Sequence, residues 1–212
     1  MKITKLNDEI WYFEDIIEDP KGIFESIENW MPVDNQPFMQ TSIGKTRDFL
    51  EKTDNATFRV LDTWYREHPD FDDMEYKLLP STAYYDRKAG PGYGSHSDFA
   101  ANPDGSFEDV HATILGYFSD PSDYEGGEIL FPDYDISVKP SLGSMIIFGF
   151  KVQHAVNPVL SGTRWLSSQF LVKNKAFYKI LEINQKEITK EQEIRLRIEA
   201  PQWERKNGNV KR

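Results

Sequence analysis

Apolar residues recur at the period of an α-helix in two stretches of the N-terminal third of the chain. In the first stretch they are Ile23, Phe24, Ile27 and Trp30, and in the second they are Phe58, Leu61, Trp64 and Tyr65. This spacing predicts a helix over residues 20–30 and a second helix that begins near Asp54 and ends at His68. A strand is predicted over residues 9–17. The proline- and glycine-containing residues 31–52 are predicted to be mostly loop, with one short strand as the alternative.

From residue 75 onward the pattern changes to short apolar runs separated by glycine, proline and polar residues. Such runs are typical of β-strands joined by turns. The predicted strands cover residues 76–79, 83–85, 111–118, 129–131, 136–138, 144–150 and 165–172. A capping-box pattern that begins at Thr189 predicts a C-terminal helix. The whole pattern favours a mainly β fold with flanking helices, of class α+β, in which the strands form a sandwich or barrel.

Composition and charge narrow the class of protein. Hydrophobic residues make up 39% of the 212 residues, which is enough for a sizeable core. The formal net charge of −10 argues against nucleic-acid binding, which needs a basic surface. The chain has no cysteine, so it can form neither disulfides nor thiolate metal sites. Its first residues lack the apolar core of a signal peptide, and no apolar run is long enough to span a membrane, so we expect a cytoplasmic protein without a membrane partner.

Three residues of the strand-rich region are candidates to bind one metal ion. His96 and Asp98 lie two residues apart, and such residues point to the same side of an extended segment. His154 follows 56 residues after Asp98, just beyond an apolar run. Two imidazoles and one carboxylate bind one face of iron(II) and leave the other positions open. A His-x-Asp pair alone is common by chance, so the prediction rests on the order and spacing of all three residues.

Arg164 is a candidate to hold the carboxylate of a co-substrate. It lies ten residues beyond His154 and leads into a predicted strand. Its planar guanidinium can donate to both oxygens of one carboxylate. His111 is a rival metal ligand, but a lone histidine on a strand is more often packed or hydrogen-bonded, and we favour that interpretation.

Five motifs within residues 78–172 resemble, in their order, those of the iron(II)- and 2-oxoglutarate-dependent dioxygenases. The motifs are Tyr85, Gly90 and Tyr93 before His96 and Asp98; Leu115-Gly116-Tyr117-Phe118; Gly126-Gly127-Glu128-Ile129-Leu130-Phe131-Pro132; Pro140-Ser141-Leu142-Gly143; and His154, Val156, Pro158 and Gly162-Thr163-Arg164-Trp165. The stretch most resembles the prolyl 4-hydroxylase branch. Its interval from Tyr85 to His96 is one residue longer than in that branch, which leaves the choice between Tyr84 and Tyr85 open.

The resemblance implies a fold, a set of cofactors and a reaction. The fold is a double-stranded β-helix, or jelly roll, with the N-terminal helices packed on one sheet. The cofactors are Fe(II), bound by His96, Asp98 and His154, with 2-oxoglutarate and O₂ as co-substrates and ascorbate as an optional reductant. The reaction is hydroxylation, with succinate and CO₂ as co-products. The favoured substrate is a prolyl residue in a peptide or protein, and a free amino acid or other small molecule is the alternative.

The resemblance also assigns the co-substrate pocket and the extent of the domain. The far carboxylate of 2-oxoglutarate would meet Arg164, with help from Tyr117 and from Tyr85 or Ser168. Residues 1–212 are expected to form one domain. Within it, residues 1–77 are expected to give helical support, residues 78–172 the catalytic core and residues 173–212 a C-terminal extension.

Two other classes of protein compete with this interpretation. A non-catalytic or isomerase-type metal barrel of the cupin kind would need no Arg164 to hold a dicarboxylate. A zinc hydrolase typically shows a His-Glu-x-x-His motif, which this sequence lacks.

Overall fold

The computed structural model of the chain describes residues 1–28, 30–32, 38–40, 46–68, 76–79, 81–87, 92–98 and 110–173. These residues contain two α-helices, α1 (Pro20–Glu25) and α2 (Arg47–Glu67), and a short 3-10 helix, Pro132–Tyr134. Their strands are β1 (Lys2–Asn7), β2 (Ile10–Glu14), β3 (Met31–Pro32), β4 (Phe38–Gln40), β5 (Tyr76–Leu78), β6 (Thr82–Arg87), β7 (Tyr93–His96), β8 (Val110–Tyr117), β9 (Tyr124–Gly126), β10 (Ile129–Phe131), β11 (Ile136–Val138), β12 (Met145–Gly149), β13 (His154–Val156) and β14 (Val159–Lys173).

The strands form two antiparallel sheets. The major sheet has the order β1-β2-β12-β8-β14-β6-β4-β3, and β5 and β9 also pair with β14. The minor sheet has the order β11-β10-β13-β7. The predicted mainly β fold of two curled sheets with N-terminal helices is therefore confirmed. The predicted helix near Thr189 and the extension over residues 173–212 fall almost entirely outside the described residues.

One face of the major sheet packs against the minor sheet. Alternate residues of β8 and β12, such as Tyr117 and Phe148, meet Ile129 and Phe131 of β10 in one buried cluster. Fully burying an apolar side chain of this size contributes roughly 1.5–3 kcal/mol, so this interior fixes how the sheets face each other.

The opposite face of the major sheet carries the two helices. Phe24 of α1 is fully buried there, and its ring stacks on Trp165 of β14 at a centroid distance of 5.0 Å. Phe118, which follows β8, lies 5.1 Å from Phe24, and Phe49 of α2 lies 5.8 Å from Phe118. These aromatic contacts tie both helices to the outer side of the sheet that carries Arg164 on its inner side.

The N-terminal part of the chain departs from the prediction in two ways. Residues 2–7 form β1, an edge strand whose largely exposed, polar sequence carries no apolar run. The first helix ends at Glu25, because the chain turns at Ser26, whose hydroxyl donates to the carbonyl of Ile23. Ile27 is buried although it lies beyond the end of the helix. The helical spacing of buried apolar residues therefore extends past the helical backbone.

The second helix begins earlier than predicted, at Arg47 instead of near Asp54. Phe49 and Leu50 are buried and extend its apolar face toward the N-terminus. Two short strands, β3 and β4, also lie in the stretch predicted to be mostly loop. Together with β1 and β2 they join the major sheet, so residues 1–77 supply strands as well as helical support. No helix among the described residues is long and apolar enough to cross a membrane.

We expect Phe24→Ala to lower the free energy of unfolding by about 3–5 kcal/mol, because it opens a cavity among packed rings. Urea unfolding followed by circular dichroism measures this change. The matched control is Tyr134→Ala at an exposed aromatic residue, which should change stability by less than about 0.5 kcal/mol. Equal effects of the two substitutions would contradict the packing role of Phe24.

Candidate functional site

The three predicted metal ligands meet at one edge of the minor sheet. His96 ends β7, His154 begins β13, and the two residues lie directly opposite each other in the antiparallel pair. Asp98 follows β7 by two residues. The strand pairing thus brings together residues that are far apart in the sequence, and an irregularity in the register between Tyr93 and His96 lies beside the site.

The ligand atoms of these residues face one point. Asp98 Oδ1 lies 3.9 Å from His96 Nε2 and 4.0 Å from His154 Nε2, and all three lie within 4.8 Å of one another. Ligands about 2.1 Å from one ion in a facial arrangement would be about 3 Å apart, so binding would draw these atoms together by about 1 Å. Two imidazole nitrogens and one carboxylate oxygen fit a mononuclear Fe(II) site with open positions.

Hydrogen bonds orient both imidazoles for metal binding. His96 Nδ1 lies 2.8 Å from the carbonyl of Gly94, and His154 Nδ1 lies 3.2 Å from the carbonyl of Val152. A carbonyl only accepts, so each Nδ1 carries the proton and each Nε2 presents its lone pair. Burial lowers the pKa of His154 below the usual value, which keeps its ring neutral and able to bind a metal.

Thr113 orients the third ligand. Its hydroxyl donates a hydrogen bond to Asp98 Oδ2, which leaves Oδ1 directed at the two imidazoles. Thr113 is buried on the inner face of β8. Sequence reasoning missed this residue, because a threonine on a strand carries no motif. The only available signal was its position in the alternation of β8.

The site is open on one side. The exposed fraction of the side chain is 46% for His96, 14% for Asp98 and 7% for His154. The ring of His154 lies 4.7 Å from that of Phe148, in the interior between the sheets. The triad therefore has one half-exposed ligand on β7 and one ligand buried against the core.

Arg164 lies on the inner face of the neighbouring sheet. Its side chain is buried, and Nη1 donates to the carbonyl of Gly127 at 2.8 Å. Arg164, Leu166 and Ser168 alternate along β14 and so share one face. Leu166 pairs with Tyr117 of β8, which places the buried Tyr117 on that same face.

Of the two adjacent tyrosines, Tyr84 lies on the face of the major sheet that carries Arg164. Tyr84 pairs with Leu166 and therefore lies on the inner face, where Ser168 donates to its hydroxyl at 3.3 Å. Burial raises the pKa of Tyr84, so its phenol stays protonated. The assignment of Tyr85 to the co-substrate pocket is wrong. Tyr85 points to the outer face, where its ring packs 4.9 Å from that of Trp30.

His111 lies apart from the metal cluster and is packed, as predicted. Its ring lies 4.8 Å from that of Tyr76 and 6.2 Å from that of Phe150. Burial, assisted by the nearby His68 and Lys173, lowers its pKa to about 4. Among the described residues, the cluster suited to a metal consists of His96, Asp98 and His154.

Fold and site together define a β-sandwich protein with a facial metal triad and a buried arginine on the facing sheet. Residues 80–172 match the model of the 2OG-Fe(II) oxygenase superfamily. The resemblance inferred from the motifs is thereby confirmed over these residues. The family's name specifies Fe(II) and 2-oxoglutarate, and the donor set of the triad fits that metal.

Known relatives agree with this assignment over part of their length. A PKHD-type hydroxylase of Shewanella baltica is 35% identical over 112 residues, which cover 48% of this chain and 49% of the relative. The chain thus spans about half the length of the curated relatives it matches.

Two solved structures share the fold. The viral collagen prolyl hydroxylase of Paramecium Bursaria Chlorella virus-1 has a TM-score of 0.57 at 20% identity, over 78% of this chain and 96% of that one. A prolyl hydroxylase of Trichoplax adhaerens, solved with a peptide fragment of hypoxia inducible factor, has a TM-score of 0.56 at 14% identity, over 81% and 87% of the two chains. The predicted jelly-roll architecture is therefore confirmed.

We expect Thr113→Val to weaken binding of Fe(II) by about 10- to 100-fold, because Asp98 loses the donor that orients it. Anaerobic titration calorimetry with Fe(II), or with Mn(II) as a redox-stable substitute, measures the change. Thr63→Val is the matched control, since the Thr63 hydroxyl donates to the carbonyl of Arg59 within α2. Unchanged affinity in Thr113→Val would contradict the orienting role of Thr113.

His111 should make the protein less stable in mild acid. Its folded pKa of about 4 lies below the unfolded value near 6.5, so the unfolded chain binds the proton more readily between these values. The free energy of unfolding should therefore fall as the pH drops from about 6.5 towards about 4. His111→Gln should show a smaller fall over this range, measured by urea unfolding at several pH values, and a constant difference from wild type above pH 7. Identical slopes below pH 6.5 would contradict this account.

Proposed function

We propose that this protein is an Fe(II)- and 2-oxoglutarate-dependent dioxygenase that hydroxylates a prolyl residue in a peptide or protein. One observation carries the proposal: the triad of His96, Asp98 and His154 and the buried guanidinium of Arg164 face the same interior between the two sheets. The first group suits a metal with open positions and the second suits the carboxylate of a small dicarboxylate.

The triad would hold the metal at its own ligand atoms. His96 and His154 offer Nε2, and Asp98 offers Oδ1 while Thr113 occupies Oδ2. Fe(II) bound there supplies the oxidising chemistry, in which O₂ gives one oxygen atom to the substrate as a hydroxyl and one to succinate while 2-oxoglutarate loses CO₂. The protein residues bind and orient the reactants and keep water from the buried side of the site.

The inner face of β14 would hold the far carboxylate of 2-oxoglutarate. A buried guanidinium favours an anion beside it, because opposite charges attract each other strongly in a medium of low dielectric constant. The protonated phenol of Tyr84, with Ser168 beside it, and the buried Tyr117 add hydroxyls on the same face. Tyr84 thus takes the role that the motif comparison gave to Tyr85.

A prolyl substrate is supported by what the similar proteins are. The curated relatives carry the name PKHD-type hydroxylase, and both structural neighbours described above are prolyl hydroxylases, one of them solved with a peptide. The half-exposed His96 lies on the open side of the triad, where a peptide would approach. The cytoplasmic location and the single-domain extent stay predictions from the sequence.

The test is succinate formation from 2-oxoglutarate by anaerobically Fe(II)-loaded protein after exposure to air. Wild type should turn over slowly alone and faster with a proline-rich peptide. Asp98→Ala should form no succinate. Arg164→Met should raise the KM for 2-oxoglutarate by about 10- to 100-fold, because it removes a charge-assisted pair of hydrogen bonds.

The matched control is Arg66→Met, at an exposed arginine that pairs with Asp62 within α2, and it should behave as wild type. Stimulation by free proline but not by peptides would reassign the substrate to a small molecule. Tight Fe(II) binding with no succinate from the wild type under any condition would overturn the proposal in favour of a non-catalytic metal barrel.

A further inference from the structure

The carbonyl that accepts a hydrogen bond from Arg164 lies in residues 124–128, which comprise β9 and the two residues that join it to β10. Gly127 lies in this segment with φ +69°, and its carbonyl accepts from Arg164 Nη1 at 2.8 Å. A Cβ atom on Gly127 would come within 3.2 Å of Arg164 Cδ and 3.1 Å of Tyr124 Cε2. The stem of Arg164 therefore packs directly on this glycine, and the position of the 124–128 segment sets the position of the guanidinium.

Lys139, which directly follows β11, holds one side of this segment. Its ammonium donates to the carbonyls of Gly126 and Tyr124, the latter at 3.3 Å. It lies 3.9 Å from the centre of the Tyr124 ring and 3.7 Å from Glu128 Oε1. One cation thus contacts the residues on both sides of Gly127.

The other side of the segment is held by the stretch that joins β13 to β14. The backbone N–H of Gly127 donates to the carbonyl of Pro158 at 3.1 Å, and that of Asn157 donates to the carbonyl of Glu128 at 2.9 Å. The Asn157 side chain also donates to Glu128 Oε2 at 3.0 Å. Gly127 therefore lies between two sets of contacts. One set is made by the ammonium of Lys139, and the other by Asn157 and Pro158.

The charge of Lys139 matters because its surroundings are only partly solvated. The side chains of Lys139 and Glu128 are each 28% exposed. Burial raises the pKa of Glu128, but the hydrogen bond from Asn157 and the charge of Lys139 outweigh it and lower the pKa overall, so Glu128 is ionised at neutral pH. An ammonium that binds two carbonyls and a carboxylate at once fixes them more firmly than a neutral side chain could.

We propose that Lys139 is a positioning residue for Arg164: by fixing the 124–128 segment it holds the Gly127 carbonyl and, through it, the guanidinium that selects a co-substrate with a second carboxylate. In this proposal Lys139 acts through the 124–128 segment and not by binding the metal or the co-substrate itself. The inference rests on the proposed function, since it concerns the same 2-oxo acid pocket.

The test compares two acids that differ at the far end alone. 2-Oxoglutarate carries the second carboxylate, and 2-oxovalerate has the same chain length but ends in a methyl group. Their dissociation constants are measured by calorimetry with Mn(II)-loaded protein without O₂, so that binding is read independently of turnover. Lys139→Met keeps an unbranched apolar side chain at this position and removes the ammonium.

We expect Lys139→Met to weaken binding of 2-oxoglutarate by about 10-fold, the lower end of the loss seen when an orienting partner is removed from a metal ligand. Binding of 2-oxovalerate should stay within about twofold of wild type, because that acid does not use Arg164. Lys139→Arg should retain most of the wild-type preference for 2-oxoglutarate over 2-oxovalerate. Lys151→Met, at an exposed lysine over Phe150, is the matched control and should leave both constants unchanged.

A second comparison uses Arg164→Met as background. If Lys139 acts through Arg164, adding Lys139→Met to Arg164→Met should cause no further loss of 2-oxoglutarate binding, as expected for coupled residues. Should Lys139→Met fail to fold, as judged by circular dichroism, Lys139→Gln retains one donor and should show an intermediate preference.

Three outcomes would overturn the positioning role: equal weakening of both acids, no weakening of either, or additive losses in the double variant. These outcomes differ from failure of the proposed function. If the proposed function fails, neither the wild-type protein nor the Lys139 variants would prefer 2-oxoglutarate over 2-oxovalerate.

Discussion

The pairing of β7 with β13 is the interaction on which the rest of the site depends. It places His96 directly opposite His154, so two ligands from distant parts of the sequence are fixed by backbone hydrogen bonds. Both rings then donate from Nδ1 to carbonyls of their own strands or loops, which leaves both Nε2 atoms directed at Asp98. A shift of one residue in this register would turn one imidazole away from the other, because successive side chains of a strand point to opposite faces.

The two sheets supply different parts of the site, because the metal ligands and the arginine lie on different sheets. The minor sheet holds the triad, and β14 of the major sheet holds Arg164. Thr113 links the two, since it lies on β8 of the major sheet and donates to Asp98. Gly127 links the two sheets a second time. Its carbonyl accepts a hydrogen bond from Arg164 of the major sheet, and the chain continues from Gly127 into β10 of the minor sheet.

The sequence predicted the metal ligands because their residue types are chemically distinctive and rare, with only four histidines in the chain. It could not choose between Tyr84 and Tyr85, because adjacent residues of a strand face opposite ways and only the register of β6 against β14 decides between them. Thr113 and Lys139 were missed since a hydroxyl on a strand or a lysine beside a proline is usually a surface feature. The strand core was predicted well, whereas the polar edge strand β1 carries no apolar run to reveal it.

The apolar interior between the sheets is what makes these polar groups useful. Phe148 of β12 contacts both Phe131 of β10, at 5.3 Å, and His154, at 4.7 Å, so one ring touches the facing sheet and a metal ligand together. The same burial that fixes the distance between the sheets keeps the imidazole of His154 neutral and strengthens the attraction of Arg164 for an anion. Packing and chemistry are therefore not separable here. A looser interior would admit water, which would screen the charge of Arg164 and favour protonation of His154.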